Sequence, residues 1–447
     1  MVRKEKVAQE NARFVINIIV IQKTKEEVGM MKKKYVSWVA VFLITLLMAT
    51  GMVYAQNEVR VGAINDMTGG TADVGKDYAL GIAEAVAYVN DTGGINGKKI
   101  KLFQYDYGYR IPEAITTYKR FRDFDKVVAV LGWGTGDTEA LSPTVTKDKM
   151  PYVSASYSAH LTDPKKAPFN LFFASDYSTN ARAAITVWFD HVWKKDARFK
   201  DRAAKGEKPR FVCFYAFPTP YASAPIKAIK DQAVLLGFEV GPDQDVALTA
   251  LDAKSQVLGA KQFKPDLVWH GNTTMSVATA LRDAYALGLG ADHITNNWGF
   301  DENLPRLAGP AAENVMGAAV CAFFGGKAPM MDKIKAYAKK LNPGVPENKR
   351  LIRTVQGWGA VLLLTDAMKI ADKQGKMNGE TIVKAMETFK NKDLGVGSLP
   401  VTLTAVDHRP ASGCPIYKVE KGKFVLVDMP DLKKRWPEKW EKEWLGW

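Results

Sequence analysis

The chain of 447 residues predicts an α/β protein made of two successive lobes, each a parallel sheet covered by helices. Strand-like and helix-like runs alternate strictly from residue 59 onward, the pattern of doubly wound parallel sheets. The same alternation starts afresh near Thr179 and, with the first, covers about two thirds of the chain. With 47% hydrophobic and 25% charged residues the composition is ordinary and globular, and the length allows two to three domains.

Each element follows from its local pattern. "VRVGAIND" (59–66) is a short β-rich run. "YALGIAEAVAYVNDTGG" (78–94) sets Leu80, Ala83, Val86, Ala87 and Val89 mostly on one helical face and ends in glycines. "KIKLFQYDY" reads as strand, "AITTYKRFRDF" as helix, "VVAVLGW" as strand, "EALSPTVTKDK" as helix and "PYVSAS" as strand. The second series runs "ARAAITVWFDHVWKK" helix, "RFVCFYA" strand, "SAPIKAIKDQAVLLG" helix, "FEVGPDQDVAL" strand, "AKSQVLGAKQF" helix, "DLVWHGN" strand, "VATALRDAYALG" helix and "HITNNWG" strand.

The formal charge of +14 is diffuse. Nine of the Lys/Arg and four of the Asp/Glu lie in residues 1–55, which leaves +9 on the rest. No clustered basic face or nucleic-acid motif accompanies it, so a nucleic-acid partner is not expected.

"MKKKYVSWVAVFLITLLMATGMVYAQ" has three lysines, an apolar stretch from Val36 to Met52 and a small-residue site at Val53-Tyr54-Ala55. This is the order of a secretory signal peptide over 31–55, with the exported chain beginning near Gln56 in the periplasm. Residues 1–30 precede a complete signal and are read as an over-extended start. Cys213, Cys321 and Cys414 are widely spaced, so neither metal nor cofactor is expected; one disulfide is open, and Cys213 and Cys321 sit in apolar runs typical of core residues.

Ligands of such sheets bind beyond the carboxyl ends of the strands. Two loops rich in small and hydroxyl residues, "GWGTGDT" (132–138) and "SASYS" (154–158), fall there. The aromatics Trp133, Tyr107, Tyr109 and Phe300 also lie next to expected strand ends, and Arg110 is a candidate carboxylate clamp.

The run "VRVGAINDMTGGTADVGKDYALGIAEAVAYVNDTGGINGKKIKLFQYDYGY", with "PYVSASYSAHLTD", "VQGWGAVLLLTDAM" and "VDHRPASGCPIYKVEKGKF", resembles the branched-chain amino acid type periplasmic binding proteins over residues 58–427. The resemblance implies a type I fold, two lobes joined by a three-segment hinge, acting as the solute receptor of an ABC importer. It places lobe one at 58–177 plus 320–400, lobe two at 178–319 plus 401–430, and a tail at 431–447. Its expected partners are a small solute and the permease subunits of the importer, and the receptor is expected to be a monomer. Matching the family's loops places Ser156, Tyr157 and Ser158 at the ligand carboxylate, with Thr135 or Gly136 opposite. It also makes Tyr221 the lid aromatic and Asn272, Thr273 and Trp298 further contacts.

Trp298 departs from the family. Amino-acid receptors tend to carry a carboxylate there for the α-ammonium, because a buried cation without a partner is costly. Here the loop reads Asn297-Trp298-Gly299, and Asp301, Asp106 and Asp137 are the candidate substitutes. The expected ligand is therefore a small amino acid, amide, or apolar or aromatic carboxylate.

Five histidines make no H-E-x-x-H motif, and no G-x-S-x-G elbow, Walker A loop or complete dinucleotide fingerprint follows a strand, so no enzyme is expected. The alternative is a ligand-sensing receptor that presents its solute to a separate signalling protein. The tail "LKKRWPEKWEKEWLGW" is expected to pack on a lobe or contact a partner.

Overall fold

The computed structural model describes residues 58–447. The signal peptide expected over 31–55 and the extension expected before it lie outside those residues.

Two sheets organise the chain. The first contains β1 (Glu58–Asn65), β2 (Lys99–Asp106), β3 (Ala129–Gly132), β4 (Tyr152–Ser154) and β5 (Asn170–Leu171), in the order β2-β1-β3-β4-β5. Its β1–β3, β3–β4 and β4–β5 pairs are parallel. Every residue of β3 and β4 is buried, as a strand covered by helices on both faces requires. Helix Ala72–Asp91 covers one face and packs on helix Ile352–Lys373, where Gly81 and Gly357 let the two backbones meet.

The second sheet contains β6 (Arg210–Tyr215), β7 (Glu239–Val240), β8 (Gln244–Asp245), β9 (Leu267–His270), β10 (Asp292–Thr295), β11 (Met316–Ala318), β12 (Ile416–Glu420) and β13 (Lys423–Asp428). Its order is β13-β12-β11-β10-β9-β6-β7, with β8 also on β6. The strands are parallel from β7 to β11; β12 and β13 add as an antiparallel hairpin. That hairpin turns through Lys421 (φ 50°) and Gly422 (φ 72°), the left-handed pair that a tight two-residue turn demands.

The chain passes between the sheets after β5, after β11 and before β12. The third passage differs from the expected position near 400. Residues 389–413 stay with the first lobe: Leu403 N–H donates to Phe389 O and His408 N–H to Thr162 O. Their irregular loops carry no strand or helix period that would reveal this in sequence. "FEVGPDQDVAL", expected as one strand, is β7 and β8 separated by Gly241-Pro242, since proline cannot continue the ladder. The three cysteines are buried and free; burial pushes the Cys414 thiol up to about 12.

The tail folds onto both lobes. Arg409 of the first lobe stacks on Trp440 at 3.8 Å, Trp447 meets His160 at 5.4 Å, and Arg435 pairs with Asp190 of the second.

Candidate functional site

A narrow cavity with about 20 Å³ of free space lies between the lobes at the carboxyl ends of β3, β6, β9 and β10. The first lobe lines it with Thr71, Val74, Tyr109, Trp133, Gly134, Thr135 and Ala155, the second with Tyr177, Tyr221, Thr273 and Trp298. Five of these are aromatic and none is charged.

The first-lobe wall is built from the turn before helix Ala72–Asp91. Asp66 accepts from the amides of Gly69 and Thr71 (2.6 and 2.7 Å) and from Thr71 Oγ1 (2.7 Å). Thr71 Oγ1 in turn accepts from Trp133 Nε1 at 2.9 Å, which fixes the indole. Gly134 precedes helix Thr135–Asp148 in an extended conformation and with Thr135 brings the start of that helix to the cavity, while the Asp137 carboxyl takes the Gly134 and Asp137 amides. A Cβ at Gly134 would run into Asp137 and Tyr107. Thr135 Oγ1 accepts from Ser156 Oγ (2.8 Å) and turns its own proton toward the Tyr177 hydroxyl across the cavity. Tyr109 is held at φ 58°, a strained setting for a bulky residue of the kind that gathers at functional sites.

The second-lobe wall hangs on Asn296. Its Oδ1 accepts from Trp298 N (2.6 Å), Gly299 N (3.0 Å) and Tyr221 Oη (3.0 Å), so both lid aromatics share one anchor. Trp298 Nε1 donates to Tyr177 Oη at 2.9 Å. Thr273 precedes helix Thr274–Ala286, and its buried hydroxyl lies against the Asp73 carboxyl of the first lobe.

The lobes meet around the cavity. Trp133 and Trp298 lie edge to face at 5.0 Å, Met275 N–H donates to Asp73 Oδ2 at 3.1 Å, and Gly136 faces Pro220. Burial raises the Asp73 carboxyl to about 6, opposed by the Met275 amide.

Of the residues singled out in sequence, Tyr109, Trp133, Thr135, Tyr221, Thr273 and Trp298 stand at the cavity. Six stand behind or beside it. Ser156 acts through Thr135; Tyr157 stacks under Trp298 at 5.8 Å and 20°; Ser158 turns away to Glu139 (2.8 Å). Tyr107 donates to Asp137 (2.7 Å), and Gly136 sits at the lobe contact. Asn272 ties loops together, donating to Val246 O (2.7 Å) and accepting from Ala216 N (3.0 Å). Thr71, Val74 and Tyr177 were not singled out. The only sequence signal for Thr71 is the glycine turn "DMTGGT", and Tyr177 follows the helix cap Asp176.

None of the three candidate carboxylates lines the cavity. Asp301 is fully buried, taking Arg353 (3.0 Å), Thr274 Oγ1 (2.7 Å) and Asn303 N (2.9 Å). Asp106 binds Met67 N and Thr68 Oγ1. Asp137 is held by Tyr107, and burial lifts it to about 7. Arg110 is exposed and pairs with Glu113. His270 and His293 face each other at 2.9 Å, and burial lowers both, His293 to about 4, so both are neutral imidazoles at neutral pH. Among the described residues no group of His, Cys, Asp and Glu suits a metal ion.

A buried, uncharged cavity closed between two parallel-sheet lobes defines a two-lobed solute-binding protein. Residues 58–423 match the model of the periplasmic binding protein family, and the chain belongs to that family. It is similar to the substrate-binding protein of an ABC transporter from Aeropyrum pernix (33% identity, 83% of this chain and 95% of that one, TM-score 0.74). The fold is shared with a branched-chain amino acid ABC transporter protein from Thermus thermophilus with bound valine (22%, 85% and 99%, TM-score 0.75). It is shared too with a solute-binding protein of an ABC transporter from R. palustris in complex with benzoate (18%, 83% and 96%, TM-score 0.67). A match to an amino acid binding protein of Pseudomonas aeruginosa (37% identity) spans 79 residues, 18% of this chain and 21% of that protein's length.

Proposed function

We propose that the protein is the solute receptor of an ABC importer and traps one small apolar or aromatic carboxylate, or the corresponding amide, between its lobes. The observation that carries the reading is the cavity wall: five aromatic rings, no charged side chain, and the start of helix Thr135–Asp148 at Gly134 and Thr135. Helix N-termini and hydroxyls favour an anionic or carbonyl oxygen, and the rings favour a flat or branched apolar body. An α-ammonium would find no carboxylate in the wall, at a cost that burial makes large. Valine in one relative and benzoate in another indicate that this fold accepts both chemistries, so the wall decides. The receptor is exported through the signal at 31–55, binds as a monomer, and delivers its solute to permease subunits without turning it over.

A thermal-shift panel tests this. Benzoate, isovalerate, isobutyramide, valine, leucine and urea are added to the purified protein one at a time. Stabilisation by the acids or the amide is the expected result, with the solute recovered unchanged. Stabilisation by the zwitterions alone, or a new product, overturns it.

A further inference from the structure

The first turn of helix Ile352–Lys373 belongs to the first lobe, yet it is engaged by the second. Arg353, fully buried, sends its guanidinium across to the turn that presents Trp298. One Nη donates to Asn297 O (2.8 Å) and the other to Phe300 O (3.3 Å) and Asp301 Oδ2 (3.0 Å). The same guanidinium lies 4.9 Å from the Trp298 ring. Glu302, from the second lobe, accepts from Ile352 N (2.9 Å) at the start of that helix and from Phe324 N (2.8 Å). On the first-lobe side Gln356 Oε1 accepts from Arg353 at 2.7 Å, while Gln356 Nε2 reaches Tyr157 Oη at 3.4 Å. Trp298, anchored in its own lobe by Asn296 and Tyr177, is thus also braced from the first lobe by Arg353 and Tyr157.

We infer that Arg353 is a positioning residue for the solute site: it latches the two lobes in the closed arrangement and sets the Trp298 ring against the cavity. The inference rests on the solute-receptor reading but needs no particular solute. A planar, always charged fork suits three acceptors on one turn plus an aromatic face, a set that lysine only partly meets. Its carbonyl contacts exist only while the lobes are together. Loss of the fork therefore acts on closure and on the Trp298 environment at once.

The test uses the full chain with no solute added. Spin labels at Lys119→Cys and Lys254→Cys, one exposed position on each lobe, report the inter-lobe distance, and tryptophan emission reports Trp298 against a Trp298→Phe reference. The wild type is expected to show a short-distance population. Arg353→Gln should move it to longer distances by several-fold in population and redden the Trp298 emission, and Arg353→Lys should restore part of both. If Arg353→Gln does not fold, Arg353→Lys carries the test alone with an intermediate shift. Unchanged distances and emission in a folded variant, or a wild type that is wholly open, overturn the proposal. Failure of the solute panel with a working latch would refute the ligand reading only.

Discussion

Replacing Thr135 by valine removes one oxygen and barely changes side-chain volume. Thr135 Oγ1 accepts from Ser156 and donates to the Tyr177 hydroxyl, and a solute oxygen at the start of helix Thr135–Asp148 would take that proton in place of Tyr177. A hydrogen bond to a charged oxygen contributes roughly 1.5–3 kcal/mol, and about 1.4 kcal/mol is tenfold in affinity. Thr135→Val should therefore weaken isovalerate binding by about one to two decades in isothermal titration calorimetry. The fold loses only the Ser156 and Tyr177 bonds, about 1 kcal/mol each. With an unfolding entropy of roughly 2.1 cal/mol/K per residue, spread over residues 58–447, that lowers Tm by only about 2–3 °C. Thr135→Ser keeps the hydroxyl and should bind within about threefold of wild type. Binding by Thr135→Val within twofold of wild type would refute the placement of the solute oxygen at this helix.

Further outcomes follow from buried groups. Asp73 spans the closed lobes with its carboxyl raised by burial from 3.8 to about 6. The closed form therefore holds its proton more tightly, and closure weakens as pH rises through about 6. For this group alone, titration at pH 5.5 and pH 8 should give about fourfold tighter isovalerate binding at the lower pH; Asp73→Asn should remove that factor. Asp137, raised by burial to about 7, makes folding stability fall as pH rises from about 4 to about 7, so Asp137→Asn should raise Tm at pH 8 and flatten its pH slope. The buried cysteines should be inert to a thiol reagent in the native protein and all three should react after denaturation; native reaction would contradict their burial. A Cβ at Gly132 would overlap the Tyr152 ring between β3 and β4, so Gly132→Ala should cost about 1–3 kcal/mol in denaturant unfolding.

The fold was legible because doubly covered strands announce themselves: "VVAVLG" is apolar throughout, and β3 is buried at every residue. Glycine and proline carried less than expected at Gly241-Pro242, where one apparent strand is two. The site was legible as loops and less so as side chains. Strand ends direct attention to Trp133, Thr135, Thr273 and Trp298, but whether a serine in "SASYS" faces the cavity or Glu139 depends on a turn of the backbone that spacing does not encode. Arg353 lay hidden inside an apolar helix, since nothing in "LIRTVQGWG" says that its charge belongs to the other lobe. Asp301 reads in sequence as a candidate partner for an ammonium, but its side chain takes the Asn303 amide and pairs with Arg353, 52 residues away.

The central claim, a cavity for a carboxylate without an ammonium, is tested most directly by a matched pair. Isovalerate and valine differ only in the α-ammonium group, so their titration against the wild-type protein at pH 7 isolates the cost of burying that charge. The wall of Trp133, Trp298, Tyr177 and Tyr221 with no carboxylate predicts that isovalerate binds at least tenfold more tightly. Tighter binding of valine would contradict the account.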